Sequence, residues 1–275
     1  MPKLKQPLNE LQTEILLILY KFRFATRDLI VTYQELTSRT YTRERLINLL
    51  NQGYIARHYD GKDKIAGRPA VYFLDARGIR FLLEPKQLDE FKLNPKVLNL
   101  VYKDKHASKL FQDRCLNIFQ IYTVFNKLYS DNLDFFTGSE LHDNDLFLKP
   151  LPFAYVTFSG KYSRKPDYVI ELMDSTKSYF IHRRRLNQYL KQYEGYTWQN
   201  KTNGSYPTLL LIADSPNLER RLQKSMAFSI NSRNVNNFNV YTTTLKALLY
   251  SKDLKDKFWS SVTSPDNLHE LVDLT

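Results

Sequence analysis

A short apolar run, TLLLIA at Thr208–Ala213, limits what this chain can fold into more than any other segment. A strand without charged residues on either face is typical of a parallel sheet that helices cover on both sides. Ser215-Pro216 then starts a helix, since Ser caps helices and Pro is favoured at the first helical position. A further strand is expected at residues 238–242. Strand, helix and strand in this order predict a partly parallel sheet flanked by helices.

Residues 9–84 have the order of elements expected of a winged helix-turn-helix domain. Apolar residues at helical spacing predict three short helices, the third of them over SRTYTRERLINLLNQGYI and ended by Gly53. Two strand patterns, residues 54–59 and 69–74, then flank the basic loop GKDKIAGR and predict the wing. A short helix over ARGIRFLLE closes the unit.

In such a domain the first turns of the third helix enter the major groove of DNA, and the wing reaches phosphates. We therefore expect DNA contacts from both elements. The candidates are Arg39, Tyr41, Thr42, Arg43 and Arg45 on the helix, and Lys62, Lys64 and Arg68 on the wing. Residues 1–85, which we assign to this domain, carry 14 basic and 9 acidic side chains, a balance that favours a DNA-binding surface.

The whole chain is basic, with 40 Lys and Arg side chains against 29 Asp and Glu and a formal net charge of +11. This charge favours a polyanionic partner, and nucleic acid is the simplest one. The single cysteine, Cys115, excludes an internal disulfide and indicates a reducing compartment. The first ten residues lack the apolar core of a signal peptide and no apolar run could span a bilayer, so we expect a cytoplasmic protein without a membrane partner.

The second half of the chain predicts a separate domain. Residues 86–106 mix both charges and contain Pro95, and we assign them to the connection between the domains. A long helix is expected at residues 107–129, and its apolar stripe packs on the sheet of the second domain or, alternatively, forms a dimer seam. This domain spans residues 107–250. The charged residues 251–275 form a tail that we expect to be partly disordered.

The segment RKPDYVIELMDSTKSYFIHRRRLNQYLKQYEGY looks most like a catalytic centre. Its pattern predicts a β-hairpin with strands at residues 167–173 and 178–182, followed by a helix over residues 184–192. Asp167 and Glu171 would lie on one face of the first strand, since side chains return to the same face every second residue. A magnesium-dependent nuclease needs at least two such carboxylates on its metal ion, with a basic group near the attacking water.

Four stretches resemble the replication-relaxation proteins of plasmids, integrative elements and related bacterial mobile DNA. They are LNELQTEILLILYKFRFATRDLI, GRPAVYFLDARGIRFL, KPDYVIEL with SYFIHRR, and PTLLLIADSPNLERRLQ. Proteins of this family join an N-terminal winged helix to a domain similar to the PD-(D/E)xK nucleases. The resemblance implies a restriction-endonuclease-like second domain with a mixed sheet, and it places Asp167 and Glu171 as catalytic and metal-binding residues.

The chain departs from the family on the second strand of the expected hairpin. That strand usually carries an acid-x-acid pattern, or acid-x-lysine in active nucleases, and His182 and Arg184 stand at these positions. Magnesium prefers oxygen ligands to histidine, and arginine stays protonated, so neither residue replaces the missing group well. The departure disfavours catalysis by the set Asp167, Glu171, His182 and Arg184.

The same substitutions favour phosphate binding. Arg183, Arg184 and Arg185 follow one another, and residues 161–201 carry nine basic and four acidic side chains. A nuclease-like surface that has lost metal ligands and gained arginines still attracts the DNA backbone. We therefore expect these three arginines to contact DNA.

We predict a protein of the α+β or α/β class that binds double-stranded DNA sequence-specifically, in replication, transfer or transcriptional control of a plasmid or mobile element. Its nuclease-like domain would be inactive and would need no cofactor or small-molecule substrate. One alternative is a metal-dependent DNA nicking or relaxing nuclease that uses Mg²⁺. Another is an accessory protein whose winged helix recruits a protein partner. The oligomeric state stays open, with a homodimer as one alternative.

Overall fold

The computed structural model describes residues 8–250 and 255–274, and the chain divides into two compact units, Met1–Thr123 and Val124–Thr275. Both units combine helices with a sheet, so the protein has mixed α and β structure with a mixed sheet. Within the described ranges, no helix is both long and apolar enough to cross a membrane.

The first unit contains seven helices and three strands among its described residues, and an eighth helix begins in it. The helices are α1 Glu10–Phe22, α2 Arg27–Tyr33, α3 Arg39–Asn51, α4 Gly61–Ile65, α5 Ala76–Leu82, α6 Pro85–Phe91, α7 Pro95–Val101 and α8 Lys109–Tyr129, and the strands are β1 Ala25–Thr26, β2 Ile55–His58 and β3 Val71–Leu74. The strands form an antiparallel sheet in the order β1-β3-β2.

Local sequence signals set the ends of these elements. Asn9 and Gln12 cap α1 reciprocally, each side chain accepting a hydrogen bond from the backbone amide of the other. The hydroxyl of Thr26 accepts from the amide of Leu29 at the start of α2. Gly53 follows α3 with a φ of +73°, a conformation that glycine adopts without steric cost.

Two segments of the first unit differ from the sequence prediction. The basic loop at residues 61–68 contains the short helix α4, which the Asp60 side chain caps by accepting from the Asp63 amide. Residues 86–106, expected to be a connection, instead form α6, α7 and a 3₁₀ turn. Asp104 is buried there and accepts a hydrogen bond from Nε of Arg23 at 2.7 Å. This segment is therefore part of the first unit.

The apolar stripe of α8 does not pack on one sheet alone. Phe119 stacks on Phe22 of α1, with 4.0 Å between ring centroids, inside the first unit. Phe125, in the second unit, contacts Phe135 and Tyr168 edge to face. The expectation that the whole stripe covers the second sheet was wrong, because its first half fills the core of the first unit.

The second unit is built on a sheet that has seven strands in the described part of the chain. The strands are β4 Leu133–Thr137, β5 Ala154–Phe158, β6 Tyr168–Met173, β7 Thr208–Ala213, β8 Val240–Thr244, β9 Trp259–Ser261 and β10 Leu268–His269, and the helices are α9 Tyr179–Glu194, α10 Thr197–Thr202, α11 Pro216–Ser232 and α12 Leu245–Tyr250. The order is β10-β9-β8-β7-β6-β5-β4, and β6, β7 and β8 run parallel while the other pairs are antiparallel.

Helices cover both faces of this sheet. Val169 and Met173 of β6 face a core shared with Leu186 of α9 and Leu222 of α11. Tyr168, whose side chain points to the opposite face, contacts Phe125 of α8. All six residues of β7 are buried, as its apolar sequence predicts for a central parallel strand.

The expected β-hairpin after β6 was wrong. The chain leaves β6 at Met173 and enters α9 at Tyr179, so residues 178–182 form no strand. The neighbours of β6 are β5 and β7 instead. His182 and Arg184, placed by the prediction on the second strand of a hairpin, therefore lie on the first turns of a helix.

The tail contributes to the sheet within the described residues. Trp259 is fully buried in β9, and β9 pairs with β8 while β10 extends the sheet by one more strand. The expectation of disorder was wrong for residues 255–274. Residues 251–254 and Thr275 lie outside the described part of the chain.

Candidate nucleic-acid interface

Helix α3 presents a basic face to solvent. Arg39 and Arg43 are exposed, and Tyr41 is 63% exposed. Nε of Arg39 lies 3.6 Å from a carboxylate oxygen of Asp28, a distance at which the ion pair is weak and the guanidinium stays available to another anion. Three of the five residues predicted on this helix thus lie on its accessible side.

The other two residues predicted to contact DNA from α3 do not lie on its accessible side. Thr42 is fully buried with Leu46 and Leu49, and Arg45 is only partly exposed. A helix rotates by about 100° per residue, so positions 42, 46 and 49 fall on the face that packs on the unit. The predicted contact of Thr42 with DNA was wrong for this reason.

The connection between β2 and β3 carries the second basic group. Lys62, Lys64 and Arg68, the three residues predicted there, are all exposed. Ile65, at the end of α4, is 90% exposed between them. Arg68 lies 3.6 Å from Asp63, again a loose pair in water. Three cations and one apolar side chain therefore project from the β2–β3 connection.

In the second unit, most of the predicted catalytic residues line one cleft of about 390 Å³. Glu171, His182 and Arg184 lie there with Arg185. The predicted set misses two lysines of the same cleft, Lys149 and Lys177. They belong to a loop and a turn, where sequence periodicity gives no indication of the direction of a side chain.

The negative charge of the Glu171 carboxylate is balanced by a neighbouring guanidinium inside this cleft. Its Oε1 accepts hydrogen bonds from Nε and Nη2 of Arg185 at 2.8 and 2.7 Å, and from the hydroxyl of Tyr189. Burial lowers the pKa of Arg185, but the Glu171 carboxylate and the Tyr189 hydroxyl together raise it more, so the pKa lies above its usual value. Burial and the same carboxylate raise the pKa of Tyr189 well above 10. Glu171 and Arg185 thus form a buried ion pair.

The buried ion pair contradicts the expectation that Arg185 contacts DNA. Arg185 is only 8% exposed, so it does not offer its charge to DNA, whereas its neighbours Arg183 and Arg184 are exposed. His182 is also buried and donates from Nε2 to the carbonyl oxygen of Asp174 at 2.8 Å. Its role in this position is to fix the turn between β6 and α9.

Asp167 lies apart from the cleft, at the start of β6. The hydroxyl of Tyr155 donates a hydrogen bond to it, and burial raises its pKa above the usual value. Four residues of a strand span about 13 Å. Asp167 is held by Tyr155 outside the cleft and Glu171 by Arg185 inside it, so the two carboxylates do not converge on one position as a shared Mg²⁺ would need.

Comparison of the chain with protein-family models, with curated proteins and with solved structures gives no match. The resemblance to replication-relaxation proteins therefore stays a prediction from the four stretches of sequence. Among the residues that the structure describes, no group of three or more His, Cys, Asp and Glu side chains could hold a metal ion.

Proposed function

We propose that the protein binds double-stranded DNA sequence-specifically through its first unit. The observation that carries this proposal is the exposed basic face of α3, with Arg39, Tyr41 and Arg43, on the same unit as the cationic β2–β3 connection. α1 to α3 followed by β2 and β3 would constitute a winged helix-turn-helix domain. In it α3 reads the major groove and the β2–β3 connection is the wing.

Each element would contribute a different kind of contact. Arginine binds guanine edges with two parallel hydrogen bonds, which suits Arg39 and Arg43 at the start of α3. Lysines at the wing neutralise phosphates without reading the sequence, which suits Lys62 and Lys64. Specificity would therefore come from α3, and a large part of the affinity would come from the wing.

The second unit would add a basic surface on a nuclease-like sheet without cutting DNA. Arg183 and Arg184 are exposed on α9, whereas Glu171 is held by Arg185 and Tyr189. On the resemblance of its sequence, we assign the protein to replication, transfer or transcriptional control of a plasmid or mobile element.

The test is a salt titration of duplex binding, in which the fluorescence anisotropy of a labelled duplex measures the affinity at each salt concentration. The logarithm of the affinity should fall linearly with the logarithm of the salt concentration, and each lost phosphate contact should reduce the slope by about one. Lys64→Ala should therefore lower the slope, and Lys86→Ala, an equally exposed lysine on α6, should not. A flat salt response of the wild type would refute duplex binding and favour the recruitment of a protein partner.

A further inference from the structure

A second basic groove lies wholly within the second unit, between α9 and α11. Its volume is about 520 Å³, and Arg183 of α9 faces Arg221 and Lys224 of α11 across it, with Arg233 at one end. None of the described residues that line it is acidic. Arg183, Arg221 and Lys224 repel one another around the groove, and a bound polyanion would relieve that repulsion.

Two of these cations are held in place by their surroundings. The guanidinium of Arg221 lies 4.2 Å from the ring centroid of Tyr179, and the Tyr179 hydroxyl donates to the carbonyl oxygen of Arg221 at 3.0 Å. Arg233 is oriented by Glu194 at 3.0 Å. Arg183 and Lys224 form no ion pair within the described ranges and are exposed to solvent. The groove therefore combines two oriented cations with two that are exposed and have no ion pair among the described residues, so its charge is available to an anionic ligand.

An exposed aromatic side chain stands in the same groove. Phe228 is 73% exposed and lies one helical turn beyond Lys224 on α11, so the ring and the ammonium group share one face. The lining stretch of α11 from Arg221 to Ser232 extends over roughly 16 Å at 1.5 Å per residue. Cations along a groove with an accessible ring are the combination that holds a phosphate backbone and stacks a base.

We propose that this groove binds single-stranded nucleic acid, with phosphates on Arg183, Arg221 and Lys224 and one base stacked on Phe228. A single strand is favoured over a duplex because the bases of a duplex are already stacked on each other and cannot cover the ring. The groove shares Arg183 with the basic surface proposed for the second unit but includes no residue of α3. The reading of duplex DNA by α3 can therefore fail without the groove proposal, and the reverse.

The test uses the full-length protein and a fluorescein-labelled 20-nucleotide oligo(dT), with a labelled 20-base-pair duplex in parallel. Phe228→Ala should weaken oligo(dT) binding by roughly tenfold, since it removes the ring on which one base stacks. The matched control is Phe180→Ala, which removes an equally exposed phenylalanine of α9 that does not line the groove and should change nothing. Duplex affinity should stay the same in both variants.

Two further arms separate stacking from simple charge attraction. Lys224→Glu should weaken oligo(dT) binding severalfold at about 0.1 M salt, and Lys201→Glu, the same substitution on an exposed lysine of α10, should not. An abasic oligonucleotide should bind the wild type and Phe228→Ala equally, because it has no base to stack.

The proposal is overturned if Phe228→Ala leaves oligo(dT) binding unchanged. It is also overturned if Lys224→Glu weakens oligo(dT) binding no more than Lys201→Glu, or if Phe228→Ala weakens duplex and oligo(dT) binding to the same extent. Thermal melting of each variant, monitored by circular dichroism, confirms that the fold is retained.

Discussion

Arg184 and Arg185 are neighbours in sequence with opposite surroundings. Arg185 is buried against Glu171 and Tyr189, whereas Arg184 is exposed. We expect Arg185→Met to destabilise the protein by about 3–5 kcal/mol, because it leaves the Glu171 carboxylate buried without its partner. Arg184→Met should change stability by less than about 0.5 kcal/mol. Urea unfolding of both variants measures the difference, and equal stabilities would contradict the buried pair.

Gly78 is required by a close approach to the backbone. A Cβ at this position would lie 2.1 Å from the carbonyl oxygen of Tyr54, which accepts a hydrogen bond from the Asp75 amide. We expect Gly78→Ala to cost about 1–3 kcal/mol through overpacking. Gly61→Ala is the control, since a Cβ there meets nothing within 4 Å and its φ is negative. Similar unfolding midpoints for the two variants would show that α5 can move away from Tyr54.

The thiol of Cys115 should be nearly inert in the folded protein. It packs against Phe24, Val71 and Phe73, and burial raises its pKa to about 12. Because only the thiolate reacts, labelling by a disulfide reagent at pH 8 should be about a thousandfold slower than in the urea-unfolded chain. The rate should increase with pH up to that pKa. Equal labelling rates in the folded and the urea-unfolded protein would contradict the burial of the Cys115 thiol.

Among the secondary-structure elements, the sequence predicts well those that carry a strong local signal, such as a continuous apolar run or a capping residue. The apolar run of β7 and the Ser215-Pro216 start of α11 are found where the pattern places them. The start of α9 was misassigned because SYFIH contains aromatic and branched residues that suit a strand. Its buried residues His182, Arg185 and Leu186 follow a helical spacing, but two of them are polar and give no hydrophobic signal.

The candidate site was less predictable than the fold, because tertiary packing decides which of its side chains are exposed. Which of three consecutive arginines is buried depends on the direction in which α9 faces the sheet, and that direction is set by the packing of Leu186 and Leu190. The groove between α9 and α11 brings together residues about 40 positions apart in the sequence. No local pattern in the sequence reports such a distance.

The arrangement of β6 leads to a prediction about catalysis. Asp167 and Glu171 are separated along the strand, and Glu171 is neutralised by Arg185, so we expect no magnesium-dependent cleavage from this pair. Supercoiled plasmid incubated with the wild type and Mg²⁺ or Mn²⁺ should stay supercoiled on an agarose gel. Nicking by the wild type that Asp167→Ala abolishes would contradict this and restore the nuclease alternative.

At the scale of the whole molecule, the net charge of +11 is not concentrated in one element. Exposed cations lie on α3 and the β2–β3 connection in the first unit, and in the groove of the second. Composition alone favours a polyanionic partner. The structure places exposed cations on a surface of each unit. In our proposals, the first surface would read duplex DNA and the groove of the second unit would hold a single strand.

In vitro selection from a pool of randomised duplex DNA would show whether α3 reads a DNA sequence. The wild type should enrich one sequence motif, and a palindromic motif would indicate a dimer. Arg43→Ala should relax the motif at one position, with a loss of about 1–3 kcal/mol for the best site, while Arg80→Ala on α5 should leave it unchanged. Enrichment of no motif, or of a motif that both variants retain unchanged, would contradict sequence reading by α3.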